Sequence, residues 1–129
     1  MTSQERKAFL GFQQGELDAV EMYKNFATLT DDEELRSLFL DAAKDEGRHA
    51  AILSKYTHRK LRPKDTLAKV TGAVFNFVPK KLLFKGIAYG EKKGGDGYLP
   101  YVKDYPELQE IINDEYKHQA IFNSVAEKY

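Results

Sequence analysis

Helical periodicity constrains this chain more than any other feature, because apolar residues recur at spacings of three and four along almost its whole length. One apolar stripe covers residues 3–27, and a second covers residues 35–56. A third apolar stretch extends over residues 65–90, and a last stripe covers residues 108–125. No useful length of sequence shows the period-two alternation of a half-buried strand. The pattern predicts an all-α protein.

Turn and capping signals divide these stretches into helices. Residues 30–33, Thr-Asp-Asp-Glu, resemble a capping box that begins a second helix soon after the first, which favours an antiparallel hairpin. The basic, proline-closed segment 57–63 predicts a long surface connection, and Pro79 predicts a kink or split near Val78. Residues 104–106, Asp-Tyr-Pro, predict the start of the last helix. We therefore expect one domain over residues 1–129, an antiparallel four-helix bundle with a long connection between helices 2 and 3.

Composition narrows the environment in which the chain is expected to work. The 129 residues contain no cysteine, which excludes disulfides, thiolate nucleophiles and Fe–S clusters. The first residues lack the apolar run of a signal peptide, and no apolar run is long enough to span a membrane. We expect a cytoplasmic protein with no membrane span.

Polar residues interrupt two of the apolar stripes at the same spacing. Glu46 and His49 lie three residues apart in the second stripe, and Glu115 and His118 repeat that spacing in the last. Residues three apart are neighbours on one face of a helix, so each pair shares the face of the apolar residues around it. We interpret both pairs as candidate metal ligands; the alternative is a pair of surface contacts at helical spacing.

The other two helices share a second repeated pattern. Glu16 precedes Tyr23 by seven residues, and Glu91 precedes Tyr98 by seven, close to two helical turns. Glu21 is a competing ligand candidate, but it lacks this spacing and is interpreted as a solvated surface residue. The sequence thus indicates a duplicated unit, in which Glu…Tyr is followed by Glu-x-x-His.

Four carboxylates inside one bundle need compensating charge, because burying an unpaired carboxylate costs several kcal/mol or forces its protonation. Two divalent cations would balance the four carboxylates, and two neutral imidazoles would complete the set. Nitrogen and oxygen ligands with bridging carboxylates suit iron or manganese, and zinc is able to substitute. The expected cofactors are two iron or manganese ions, held by Glu16, Glu46, His49, Glu91, Glu115 and His118.

This arrangement resembles the rubrerythrin branch of the ferritin-like superfamily over nearly the full chain. The segment FVPKKLLFKGIAYGEKKG is also similar to ferritin-like domains attached to some iron and manganese transporters. The resemblance implies a di-iron oxidoreductase, a peroxidase or ferroxidase active in oxidative stress, in which peroxide or oxygen reacts while Fe(II) is oxidised. It also implies that Glu46 and Glu115 are the catalytic, bridging carboxylates and that Glu16 and Glu91 are terminal ligands, each His binding one metal.

The resemblance extends to two tyrosines and stops at two other features. Tyr23 and Tyr98 resemble family tyrosines that hydrogen-bond ligand carboxylates, although both would also serve as plain core aromatics. Typical rubrerythrins carry a further Glu three residues after the third-helix ligand, where this chain has Gly94. A rubredoxin-type domain would need four cysteines, so electrons are expected from an external donor or from the iron substrate. A slow iron- or manganese-binding or sensing module is therefore the alternative to an enzyme, and a metal-free structural bundle is a third hypothesis.

Two segments leave alternatives open. The glycine-rich stretch 94–97 inside a predicted helix indicates either a distorted turn or π-bulge that opens a path to the metals, or close helix packing. Residues 70–88 are apolar on more than one face, which favours a homodimer or an exchange of helices over docking on an anionic membrane. The net charge of zero conceals a basic block at residues 55–93, with 11 basic and two acidic side chains. We interpret this block as balancing acidic helices of the same fold rather than as a nucleic-acid surface.

Overall fold

The computed structural model describes the backbone of residues 1–129 and every side chain except those of Asp65 and Ala68. Within this described chain the residues form helices, and no strand occurs. The five α-helices are α1 (Ser3–Leu29), α2 (Glu33–Thr57), α3 (Asp65–Phe77), α4 (Lys80–Tyr98) and α5 (Leu108–Ala126). The prediction of an all-α protein of ferritin-like, helical-bundle type is confirmed.

The helices pair as two hairpins, because α1 packs against α2 and α4 packs against α5. The first hairpin lies in a compact unit of residues 1–73, and the second lies in a unit of residues 74–129. In the first hairpin the rings of Phe26 and Phe39 lie 5.3 Å apart, and in the second Phe84 stacks on Phe122 at 6.3 Å. These are the apolar stripe positions, so each hairpin encloses the faces that the periodicity predicts.

The start of α2 differs from the predicted capping box. Asp32, not Thr30, is the N-cap, and its carboxylate accepts a hydrogen bond from the Leu35 amide at 3.1 Å. Thr30 is instead the C-cap of α1, where its amide donates to the Phe26 carbonyl. The prediction fails because α1 continues to Leu29, which leaves only three residues for the turn. A complete capping box does occur at the start of α1, between the Thr2 and Glu5 side chains and backbones.

The split at Pro79 is confirmed. Helix α3 ends at Phe77 and α4 begins at Lys80, while Pro79 itself has extended backbone angles. The Lys80 ammonium lies 4.0 Å from the centre of the Phe75 ring and donates to the Phe75 carbonyl, so one side chain bridges the break. At the other end of α4 a 3₁₀ turn (Leu99–Tyr101) follows, and α5 begins at Leu108, slightly later than expected.

Polar side chains of α1 hold the backbone of the connection between α2 and α3, residues 58–64. Gln13 is buried and joins the last residue of α2 to the connection. It accepts a hydrogen bond from the Thr57 hydroxyl at 2.6 Å and donates one to the Arg59 carbonyl at 2.9 Å. The other contacts run from Arg6 to the Thr57 carbonyl, from Gln14 to the Arg62 carbonyl and from the Lys64 amide to Asp18. His58 ends α2 in a left-handed conformation and is exposed.

None of the described helices combines the length and the apolar character that a bilayer crossing would require.

Candidate metal centre

The first hairpin brings together three of the predicted ligands. Glu16 lies in the middle of α1, and Glu46 and His49 lie one turn apart on α2. The His49 Nδ1 atom is 3.3 Å from Glu16 Oε2 and 3.8 Å from Glu46 Oε1. One ligand atom from each of the three residues lies within 4.8 Å of the other two. The three side chains therefore converge on one point inside the hairpin.

The second hairpin repeats this arrangement with its own residues. Glu91 lies on α4, and Glu115 and His118 lie one turn apart on α5. The His118 Nδ1 atom is 3.4 Å from Glu91 Oε2 and 4.0 Å from Glu115 Oε1. The matching distances in the two hairpins differ by only 0.1 and 0.2 Å. The duplication indicated by the sequence is thus present in the geometry of each hairpin.

Burial makes these two clusters chemically unusual. The exposed fractions of the six residues range from 0% for His49 to 6% for Glu91. Carboxylates are seldom buried to this degree unless a hydrogen-bonding partner, a cation or a metal compensates their charge. Each cluster supplies two carboxylates against one imidazole, so the acidic groups outnumber the possible cation.

The donor set of each cluster fits a divalent transition metal. Two donors that share an ion at about 2.1 Å from each are themselves separated by about 3–4 Å. The measured separations of 3.3–4.0 Å between the imidazole and carboxylate atoms fall in that interval. Carboxylate and imidazole ligands without thiolate suit iron and manganese. Each cluster therefore has the composition and spacing of a metal-binding half-site.

Glu21, the competing ligand candidate, and the two tyrosines lie on the same helices as Glu16 and Glu91. Glu21 is partly exposed and joins no group of potential metal ligands among the described side chains. Tyr23 and Tyr98 are buried on α1 and α4, with 0% and 2% exposure. The Tyr23 ring packs against Phe39 at 6.2 Å. Their predicted hydrogen bonds to ligand carboxylates stay a prediction.

The glycine-rich stretch of α4 is regular, so the hypothesis of a distorted turn or π-bulge is wrong. Helix α4 continues through residues 94–97 without interruption. A Cβ atom added at Gly94 would lie 2.9 Å from Glu115 Oε2, and one added at Gly95 would lie 2.7 Å from Tyr116 Cε1. The alternative of close helix packing therefore holds at Gly95, where a side chain would overlap the Tyr116 ring, and at Gly94 a side chain would instead meet the Glu115 carboxylate.

Asp96, the residue after these two glycines, connects α4 to α5 through a contact that the sequence pattern did not reveal. Its carboxylate accepts from the Tyr116 hydroxyl at 2.6 Å and from the Lys92 ammonium at 2.9 Å. These hydrogen bonds, from Lys92 and then Tyr116, hold the pKa of the Asp96 carboxyl below its usual range. The same bond raises the pKa of the Tyr116 phenol. Spacing alone could have suggested only the Lys92–Asp96 pair, which lies four residues apart on one helix.

Comparison with known proteins gives one family. The family model described as Rubrerythrin matches residues 13–93. The matched segment includes Glu16, Glu46, His49 and Glu91 and ends before α5 begins. No curated protein and no solved structure matches the chain.

Proposed function

The chain belongs to the rubrerythrin family, and from that membership we propose that it binds two iron ions and oxidises Fe(II) with hydrogen peroxide or oxygen. The observation that carries the proposal is the pair of near-identical, buried clusters of two Glu and one His, one in each hairpin. Ferritin-like di-iron bundles combine one Glu from each of two helices with Glu-x-x-His from each of the other two. Both halves of that ligand set are present here.

We propose that residues 1–129 act as one domain, to which each hairpin would supply half of the metal ligands. Glu46 and Glu115 would be the bridging carboxylates, and Glu16 and Glu91 would be terminal ligands. His49 and His118 would each hold one metal. Tyr23 and Tyr98 donate hydrogen bonds that orient ligand carboxylates. Family membership supports these roles for the matched segment, and the internal duplication extends them to α5.

Iron bound there would supply the electrons that reduce peroxide to water, two Fe(II) ions becoming Fe(III) as one peroxide and two protons form two waters. The protein's own contribution is electrostatic. Four carboxylates compensate the positive charge that grows when iron is oxidised, and the neutral imidazoles add none. Burial keeps bulk water away from the clusters, which strengthens each of these interactions. Such a reaction would consume peroxide during oxidative stress.

The test is stopped-flow mixing of protein loaded anaerobically with Fe(II) against hydrogen peroxide, followed by the absorbance of Fe(III). We expect oxidation much faster than for the same Fe(II) in buffer, because carboxylates that are already in place when peroxide arrives stabilise Fe(III) as it forms. A His49→Ala variant, which removes one proposed metal ligand, should slow the reaction. An exposed control, His58→Ala, should leave the rate unchanged. Oxidation no faster than in buffer would refute the proposal that the protein is an enzyme that oxidises Fe(II).

A second candidate function, a slow metal-binding or sensing module, is favoured by Gly94. The position that carries a further Glu in typical rubrerythrins has no side chain here, and the Glu115 carboxylate fills the space beside it. The extra carboxylate that typical rubrerythrins use when an iron moves between ligands on oxidation is therefore missing. The stopped-flow experiment separates the candidates, because a sensor binds two metals without accelerating their oxidation.

We propose further that the chain forms a homodimer through α3 and the start of α4. Phe77 is 85% exposed and Leu82 is 62% exposed, an unusual amount of large apolar surface for neighbouring positions in a chain of this size. Association would bury these side chains, whose transfer from water is worth about 1.5–3 kcal/mol each when complete.

Light scattering at micromolar concentration should give twice the mass of 14.8 kDa. The double variant Phe77→Asp/Leu82→Asp should shift the protein to monomer, since charged side chains would have to be desolvated at the contact. Leu40, also exposed but on α2, provides the matched control Leu40→Asp, which should remain dimeric. A wild-type monomer would contradict the proposal.

A further inference from the structure

Two adjacent glycines of α4 face α5 at the point where α5 carries its ligands. Helix α4 also contains Gly86 and Gly90, and a Cβ atom added at either would meet nothing within 4 Å. At Gly94 and Gly95 the same atom would approach α5 side chains to 2.9 and 2.7 Å. The close approach is therefore a local property of residues 94 and 95 and not of the whole helix.

The two glycines differ in what they accommodate. The atom nearest to a Cβ at Gly94 is Glu115 Oε2, the end of a flexible side chain, and the next is Glu115 Cδ at 4.0 Å. The atoms nearest to a Cβ at Gly95 belong to the rigid ring of Tyr116 and to Glu115 Cβ. Gly94 thus limits where one carboxylate lies, whereas Gly95 limits how closely the helices pack.

The backbone beside Glu115 has little freedom to compensate. Its neighbour Tyr116 packs over Gly95, and the Tyr116 hydroxyl is bound at 2.6 Å to Asp96, which also accepts from Lys92. The steric overlap caused by a side chain at position 94 would therefore be relieved by rotation of the Glu115 carboxylate and not by movement of α5. Restoring an ordinary contact of 3.4 Å from 2.9 Å requires a displacement of about 0.5 Å. Metal–ligand distances tolerate only about 0.2 Å.

We propose that Gly94 is a positioning residue for the metal centre, because its missing side chain defines the place of the Glu115 carboxylate. The inference rests on the proposed function, in which Glu115 is a metal ligand. It assigns to Gly94 a role through Glu115 alone, with no contribution of its own to the stability of the metal-free fold.

The experiment compares Gly94→Ala with the control Gly86→Ala, which makes the same change on an open face of α4. Mn(II) is titrated into each protein by calorimetry, and the melting temperature of each metal-free protein is measured by circular dichroism. Gly94→Ala is expected to bind Mn(II) about 10- to 100-fold more weakly, as is typical when a residue that orients a ligand is changed. Its metal-free melting temperature should equal or exceed that of the wild type, since Ala favours a helix more than Gly. Gly86→Ala should bind Mn(II) like the wild type.

A Glu115→Asp background tests whether the effect passes through the carboxylate. Aspartate is one methylene shorter and leaves room for a Cβ at position 94, so adding Gly94→Ala to Glu115→Asp should cost less Mn(II) affinity than in the wild type. An equal loss in both backgrounds would overturn the inference, as would wild-type affinity in Gly94→Ala. A fall in its metal-free melting temperature would overturn it too, by showing a packing role. If the wild type itself bound no Mn(II) or Fe(II), the proposed function would fail, and this inference with it.

Discussion

Replacing Glu115 by alanine is expected to lower the metal bound by each chain from two ions to at most one. The proposed centre uses Glu115 as a bridge, so the change removes a ligand from both ions, whereas loss of a terminal ligand affects one. Metal analysis of protein loaded anaerobically with Fe(II) and freed of excess by gel filtration would measure the stoichiometry. Glu46→Ala should behave in the same way, because Glu46 occupies the equivalent position in the first hairpin.

Compared with the wild type, the same variants should be at least as stable without metal and less stable with it. In the metal-free protein Glu115 is a 4% exposed carboxylate among other acidic groups, so its removal relieves an unfavourable burial and should maintain or raise the melting temperature. With saturating Fe(II) the wild type should gain stability that the variant does not, by about 2.7 kcal/mol at a hundredfold excess over the dissociation constant. A purely structural glutamate would show neither effect.

Matched controls are available on the same helices. Glu110 is an exposed glutamate one turn and a half before Glu115 on α5, and Glu34 is an exposed glutamate on α2. Both alanine variants should retain two metals and the metal-dependent rise in melting temperature. Full metal content in Glu115→Ala, or an equal loss in Glu110→Ala, would contradict the assignment of the site.

Replacing Gly95 by alanine should destabilise the fold by about 1–3 kcal/mol, the usual cost of overpacking a filled contact. The added Cβ would lie 2.7 Å from the Tyr116 ring, and the Asp96 hydrogen bond prevents the ring from turning away. The same substitution at Gly86 should instead stabilise by about 0.5–1 kcal/mol, because it adds helix propensity without a contact. Urea unfolding of the metal-free proteins, with the slope of the transition unchanged, would measure both values.

The decisive result is that the two substitutions change the free energy of unfolding with opposite signs. If Gly95→Ala and Gly86→Ala stabilised the protein equally, α4 and α5 would not approach as closely at Gly95 as the structure indicates. A Tyr116→Phe change in the Gly95→Ala background should recover part of the loss, since a phenylalanine ring is not held by a hydrogen bond to Asp96 and is able to move away from the added Cβ.

Much of the fold follows from periodicity, because the apolar stripes and the Glu and His residues within them are properties of single helices. Spacing was enough to place Glu46 beside His49 and Glu115 beside His118. Pairing of Glu16 with His49 across two helices followed from the antiparallel hairpin and needed no further information. These features depend on residues close in sequence or on one short turn.

The errors concern contacts whose energy depends on distances between backbones. Thr30 carries the sequence of a capping box, yet Asp32 caps α2, because the length of α1 decides which residue stands at the turn. Glycines 94 and 95 have the composition of a weak helix, and only their distances to α5 reveal that Gly95 is a packing position and that Gly94 adjoins the Glu115 carboxylate. The Tyr116–Asp96 bond joins residues 20 apart, for which the sequence offers no periodic signal.

The buried side chain of Gln13 has a consequence for how the chain leaves the first hairpin. Residues 58–64 form no regular secondary structure, and ordering each would cost about 1–2 kcal/mol of backbone entropy. Hydrogen bonds from α1 offset part of that cost, at about 0.5–1.5 kcal/mol each. They are made to backbone atoms and not to the basic side chains of the segment. The path of residues 59–64 is therefore set in part by α1, and substitution of their basic side chains should leave these hydrogen bonds in place.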